Sequence, residues 1–280
     1  MKRKLLSLLF LCTLLSMSTL GAYAQRKINW NINLGGSVPI GEFSQIEYNP
    51  NNISTNCGLF EDDTKGAAVV GVNVGTELLF KLKNDKFSIL LSADLHYNGI
   101  KGDAKAYLTD AGNYIANYLS QQLSDSGATV INSFCTLEKT PSYINIPIMA
   151  GIRYTHPLFI GMDAFAEASI GINIRYITSN QLYYKLKYYF PETYEIPCTI
   201  TETLSYENAS TFSFRFGGGI CLTDFISISF HYYYLGNGNV LSKLNTETTI
   251  GNNSHITSSE YYKLKSITPT MLVIKLGFTF

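Results

Sequence analysis

Apolar and polar residues alternate with a period of two through eight stretches of this chain. The last stretch, Ile267–Phe280, shows it most plainly. Thr268, Thr270, Leu272, Ile274, Leu276, Phe278 and Phe280 form one set; Pro269, Met271, Val273, Lys275, Gly277 and Thr279 form the other. Successive strand side chains point to opposite faces, so this spacing predicts a strand with one apolar and one mixed face. It is long enough to cross a bilayer at a tilt, and it ends on an aromatic residue, as strands that meet a headgroup girdle do.

The other seven stretches repeat the pattern. In Lys27–Val38, Ile28, Trp30, Ile32 and Leu34 oppose Asn29, Asn31, Asn33 and Ser37. Three asparagines turned into an apolar core would be costly without partners, whereas a polar lumen satisfies them. Gly66–Phe80 places Glu77 and Asn73 on its polar face, and Phe87–Asn98 places Asp94 and His96 there. Ser142–Thr155 contributes Arg153, and Leu158–Ile177 contributes Asp163, Glu167 and Arg175. Ser210–Leu222 contributes Arg215, and Phe225–Leu235 contributes His231. Pro147, inside the fourth stretch, has no N–H for the ladder and predicts a bulge or a locally missing hydrogen bond.

The connections alternate in length. Long segments at 39–65, 99–139, 179–209 and 236–266 take turns with short ones at Lys81–Lys86, His156-Pro157 and Thr223-Asp224. Within the second long segment, Asp103–Leu123 has helix-forming composition, with Tyr107, Tyr114, Ile115, Tyr118 and Leu119 at near-helical spacing. The third, rich in tyrosine, has parts that can continue the flanking strands as a hairpin. The expected fold is therefore all-β: an eight-stranded antiparallel up-and-down transmembrane β-barrel with four long extracellular loops, one containing a short helix. An even strand number places both termini on the periplasmic side. A soluble lipocalin-type barrel would reverse the two faces; apolar faces nearly free of charge and ending in Tyr or Phe favour lipid outside.

The N-terminus has a basic Lys2-Arg3-Lys4 region, an apolar Leu5–Leu20 stretch and an Ala22-Tyr23-Ala24 cleavage pattern. Residues 1–24 are expected to be a cleaved signal peptide and residues 25–280 the barrel domain, in the outer membrane of a Gram-negative bacterium. Phe10 and Leu11 are too bulky to make Cys12 a lipidation site. Export makes membrane lipid and the outer-membrane barrel assembly machinery the expected partners. With 21 basic and 21 acidic residues, the neutral chain lacks the basic surface that nucleic acid requires. Four mature cysteines, Cys57, Cys135, Cys198 and Cys221, allow three pairings, and their spacing matches no zinc site. No cofactor motif is present.

The polar faces gather Glu77, Asp94, Asp163, Glu167, Arg153, Arg175, Arg215 and Lys275, with His96 and His231 among them. Acids and bases balance. Side chains just fill an eight-stranded barrel, so these groups are expected to form a structural polar network that holds the lumen shut, with no catalytic, cofactor or metal site. Asp94, His96, Ser227, Ser229 and His231 contain the residue types of a hydrolase triad, but they share the polar face with many other hydrogen-bonding groups.

The segment SYINIPIMAGIRY (Ser142–Tyr154), followed by AFAEASIGINIRY (Ala164–Tyr176), resembles the PorT-like family of outer-membrane β-barrel proteins in its Tyr-x-x-Ile-Pro strand and the glycine-containing strand after it. The resemblance implies an exported eight-stranded barrel, usually called porin-like, with a secretion role for the founding member. It transfers no site residue. The expected function is a non-enzymatic barrel with a closed polar lumen, structural or binding a surface or secretion partner through its loops; a small porin-like channel or transporter is the alternative.

The signal-peptide reading predicts that the intact mass of the membrane-extracted protein corresponds to a chain beginning at Gln25. Retention of residues 1–24 would mean an uncleaved anchor.

Overall fold

The computed structural model describes residues 28–46, 65–83, 86–159, 161–189, 195–251 and 254–280. The expected signal peptide, Cys57 and most of the first long connection lie outside the described residues. Eight strands close into an antiparallel barrel: β1 (Ile28–Pro39), β2 (Gly71–Lys81), β3 (Phe87–Asn98), β5 (Tyr143–Phe159), β6 (Met162–Ile177), β9 (Ala209–Cys221), β10 (Ile226–Tyr234) and β13 (Thr270–Thr279). Neighbours in the barrel follow chain order, and β1 pairs with β13 to close it, Asn33 facing Gly277 and Leu34 facing Leu276. Both ends of the barrel-forming chain therefore stand at the same rim, where Trp30 and Phe280 lie 6.2 Å apart.

The burial pattern is inverted relative to a soluble domain. Leu34, Val72, Ile148, Ile152, Ile170, Phe212, Phe230 and Leu272 are exposed on the outer wall, while Asn31, Glu77, Asp94, His96, Asn145 and Lys275 are buried inside. Water would penalise such a belt and hydrocarbon favours it. Aromatic residues flank it at both rims. Phe87 and Tyr154 meet at 5.1 Å near the short turns. Phe214 stacks on Tyr234 at 4.9 Å towards the long connections. This is a transmembrane barrel.

The long connections are more ordered than the loops expected from sequence. β4 (Thr129–Lys139), β7 (Asn180–Tyr189), β8 (Ile196–Tyr206), β11 (Gly238–Ile250) and β12 (Ser254–Ile267) form a second sheet in the order β12-β11-β8-β7-β4. The hairpin expected in the third connection is β7–β8; β4 and the β11–β12 hairpin go beyond what the pattern predicts. The helix, α1 (Gly102–Asp125), spans 24 residues and takes in the whole Asp103–Leu123 stretch of helix-forming composition, so it is longer than the short helix expected. It ends where Gly127 adopts φ +87°, its N–H bonding Ser124 O while the Ala128 N–H reaches Leu123 O. That left-handed exit satisfies the last carbonyls.

Three boundaries also differ. The chain does not turn at His156-Pro157: His156 still pairs with Ala164 and Pro157 with Asp163. The turn comes at Gly161, whose φ of +81° a residue without Cβ adopts readily. β2 begins at Gly71, because Gly66 and Ala68 instead donate to Glu42 O and Phe43 O of the preceding segment. Pro147 causes no bulge. β3 and β5 keep one register on either side of it, but the ladder lapses opposite Asp94 and Leu95, the locally missing hydrogen bond that proline imposes.

The second sheet rests on the barrel through an apolar cluster at the rim that includes Phe43, Ile100, Leu108, Tyr143, Leu235, Ile267 and Met271. The Tyr143 hydroxyl donates to Gly66 O at 2.5 Å. Further out, α1 packs against β4 and β7, enclosing Ala116, Cys135, Leu182 and Tyr184. Gly112 makes that approach possible, since a Cβ there would overlap Cys135 Sγ. Cys135, Cys198 and Cys221 are free thiols. Burial, with the nearby Glu202 carboxylate adding to it, pushes the Cys135 thiol up to about 12.

Gly112→Val is expected to lift α1 from the sheet while the barrel stays folded. Cys135 would then alkylate at pH 8 at least ~10-fold faster than in the parent, because exposure returns its thiol towards an ordinary value of about 8.5. Site-resolved mass spectrometry reads this, with heat-modifiable migration as the barrel control. Unchanged labelling would show that the helix tolerates the added side chain.

Candidate functional site

The barrel interior is the site that sequence reasoning singles out. β2, β3, β5, β6, β9 and β13 each send one charged residue to its middle: Glu77, Asp94, Arg153, Glu167, Arg215 and Lys275 respectively. All six are buried. Three carboxylates face two guanidiniums and one ammonium, so the cluster is neutral.

Arg215 stands at its centre. Its Nη1 lies 3.2 Å from Glu77 Oε1 and 3.2 Å from Asp94 Oδ2, and its Nη2 lies 3.0 Å from Glu167 Oε1. Its Nε donates to Ser169 Oγ at 3.2 Å. Arg153 bridges the other oxygens, with Nη2 at 2.7 Å from Glu77 Oε2 and Nε at 2.7 Å from Glu167 Oε2. Its guanidinium also lies over the Phe165 ring at 4.2 Å, a favourable placement for a planar cation. Lys275 Nζ contacts Asp94 Oδ1 at 2.7 Å and Glu77 Oε1 at 3.7 Å. Each carboxylate therefore meets at least two cations.

The uncharged neighbours complete the shell. The Tyr233 hydroxyl donates to Asp94 Oδ2 at 2.8 Å and accepts from Arg215 Nη1 at 2.9 Å. His96 sits edge-on to the Tyr233 ring at 4.8 Å, with Nδ1 at 3.3 Å from Asn73 Nδ2. His231 Nδ1 lies 3.3 Å from Glu167 Oε1, and its Nε2 lies 2.8 Å from Ser229 Oγ. Inward glycines make the room. A Cβ on Gly75 would overlap the Asp94 carboxylate, one on Gly217 would meet the His231 ring, and one on Gly151 would meet Ser169.

Serine, histidine and glutamate thus line up in the connectivity of a hydrolytic triad. The surroundings argue against chemistry there. Glu167 is already engaged by both arginines, and Ser229 is only 6 % exposed. A nucleophile acts only when the reacting atom can come within hydrogen-bond reach, and packed side chains occupy that space.

Two residues of the expected network stand elsewhere. Asp163 is half-buried near the short-turn rim, opposite Pro157 and Cys221. Arg175 sits at the opposite rim, where Nη1 donates to Ile267 O and Nη2 to Gly238 O, each at 2.9 Å. It ties the β11–β12 hairpin to the barrel wall. Alternation assigns a residue to a face but not to a height, and height separates these two from the network. Tyr233, like Ser169, is a member that sequence reasoning leaves out of the network. Its parity on the polar face is the available signal, but the strand's run of tyrosines makes it read as girdle.

No family model and no curated protein matches this chain. Among solved structures it is similar to a major outer membrane protein from Thermus thermophilus, at 9 % identity and a TM-score of 0.36 over 91 % of this chain and 100 % of that one. It is also similar to the P. putida toluene transporter TodX, at 9 % identity and a TM-score of 0.21 over 92 % and 90 %. A third is the CymD monoaromatic hydrocarbon channel, at 7 % identity and a TM-score of 0.17 over 92 % and 89 %. Likenesses this distant settle neither architecture nor task; the barrel is established by this chain's own strand pairing.

Arg215→Met is expected to destabilise the barrel by about 3–5 kcal/mol, the usual cost of leaving buried charges without their partner. Urea unfolding in detergent, followed through the fluorescence of Trp30, the sole tryptophan, measures it. Asp94→Asn combined with Lys275→Met keeps the cluster neutral and should cost less than the sum of the two single changes.

Proposed function

We propose that this protein is a non-enzymatic barrel of the Gram-negative outer membrane whose lumen is a brace rather than a passage, and whose second sheet and helix bind a partner. The observation that carries this reading is the neutral cross-link of Glu77, Asp94, Glu167, Arg153, Arg215 and Lys275 across the barrel's middle. A conduit needs a water-filled path. Here six strands meet through ion pairs, and the rim above them is filled by Tyr143, Tyr233, Leu235 and Met271.

Polarity of insertion follows from the same reading. The short turns and both termini face the periplasm, and the second sheet faces outward. That sheet has no role in holding the barrel closed, since the barrel's ladder is complete without it. Its helix displays Tyr114 and Tyr118 on the side away from the sheet, both about half exposed. Tyrosine offers contact area at low entropic cost. The PorT-like resemblance of the Ser142–Tyr154 strand makes a secretion component one class of partner, beside a surface glycan.

Purified protein in planar bilayers is expected to show no conductance steps above the detergent background. Reproducible unitary steps that disappear on boiling would overturn the brace and make the barrel a small channel.

A further inference from the structure

The barrel wall and the second sheet part between β9 and β10. The ladder joining those strands stops at Phe214 and Tyr234, and the β8–β11 ladder above it begins at Tyr206 and Ser242. Gly236, at φ +78°, turns the chain out of β10, in a conformation that glycine adopts readily. The opening is a cleft of about 440 Å³, bounded by residues 207–212 on one side and by Asn237 and Gly238 on the other. That is the size of a small-molecule site.

The lining of the cleft is polar but nearly uncharged. Glu207, Asn208, Ser210 and Asn237 are exposed, offering a carboxylate, two amides and a hydroxyl. Phe212, 61 % exposed, adds a ring face. Among the described residues, no lysine or arginine lines the cleft. Arg175 is buried behind Gly238, its guanidinium donating to Ile267 O and Gly238 O. Glu207 is therefore the charge that an incoming group meets. A phosphate would face a carboxylate with no cation beside it, whereas hydroxyls would find both donors and acceptors.

Depth in the membrane selects where such a group comes from. Below the cleft, β9 turns Phe212, Phe214 and Phe216 outward in succession, and β10 turns Phe230, Tyr232 and Tyr234 the same way. Phe214 stacks on Tyr234 and Phe216 on Tyr232, each at 4.9 Å, and the two phenylalanine rings stack at 6.5 Å. A girdle needs aromatics only at the boundary; this column continues down into the apolar belt. Ser210 stands two residues above Phe212, about 7 Å along the strand, so the cleft opens at the depth of lipid headgroups. A lipid whose chains lie on the rings places its headgroup there.

We propose that this cleft, with the aromatic column beneath it, binds one lipid of the surrounding membrane whose headgroup is a neutral sugar. Sugar hydroxyls pair with Glu207, Asn208 and Asn237, a sugar ring lies on Phe212, and the acyl chains follow the column. The site is separate from the partner-binding surface described above. The proposed direction of insertion decides only that the lipid comes from the outer leaflet.

Hydrogen exchange by mass spectrometry on the full-length protein in phosphatidylcholine nanodiscs tests this, with monogalactosyl diacylglycerol as the probe lipid. Including the probe is expected to slow amide exchange over 207–210 and 236–238 at least ~5-fold and to leave 129–139 unchanged. Phosphatidylglycerol in its place should slow neither. Glu207→Lys, made on an exposed side chain, should abolish the galactolipid effect and bring slowing with phosphatidylglycerol instead, while heat-modifiable migration is kept. Equal slowing by phosphatidylglycerol in the parent would overturn the sugar preference. Equal slowing by soluble methyl galactoside would assign the cleft to free glycans and overturn the lipid. Absence of slowing with every probe would remove the site. Nanodiscs expose both leaflets, so these outcomes hold whichever way the barrel is inserted, and the conductance measurement tests the closed lumen separately.

Discussion

A charged side chain inside a narrow barrel has nowhere to turn. Lipid lies beyond the wall, and neighbouring side chains fill the bore. The rest of this structure depends on meeting that constraint. Burying even one unpaired ion costs several kcal/mol, so every carboxylate must find its cations at the same height in the barrel. Glu77, Asp94 and Glu167 do so around Arg215, and glycines leave the room: Gly75 beside the Asp94 carboxylate, Gly151 beside Ser169 and Gly217 beside His231. The polar face of each strand is thus set by its neighbours across the bore as much as by its neighbours in the ladder.

The same constraint explains what can be read from the sequence. A lipid-facing wall demands long, nearly uninterrupted alternation, and all eight barrel strands are legible for that reason, most within a few residues of their ends. The boundary errors come where local chemistry overrides the pattern. Pro157 looks like a turn residue but lies in a strand that continues to Phe159. Gly66–Val70 alternates well, yet its backbone bonds back to the segment around Phe43.

The second sheet is mostly hidden in the sequence. Its strands carry hydroxyls, amides and lysines on one face and a patchy apolar set on the other: Leu182, Tyr184, Leu186, Cys198 and Leu204. An exposed sheet in water can be built from such weak contrast because solvent satisfies its polar face. Only the tyrosine-rich β7 stands out. The interior network is legible as a list of residues but not as a set of contacts. Arg175 shares face and chemistry with Arg153, and only its position near the rim makes it a clamp on Ile267 and Gly238 instead of a partner for Glu167.

The pairing of β1 with β13 links almost the two extremes of the folded chain, and β13 also carries Lys275. Until that strand docks, the interior holds three carboxylates against two guanidiniums. Wall closure and charge neutrality are then one event rather than two. An unfinished barrel of this sequence is not a leaky version of the finished one; it is an open sheet with an uncompensated anion at its centre. Docking of β13 closes the wall and brings Lys275 to the carboxylates in the same step.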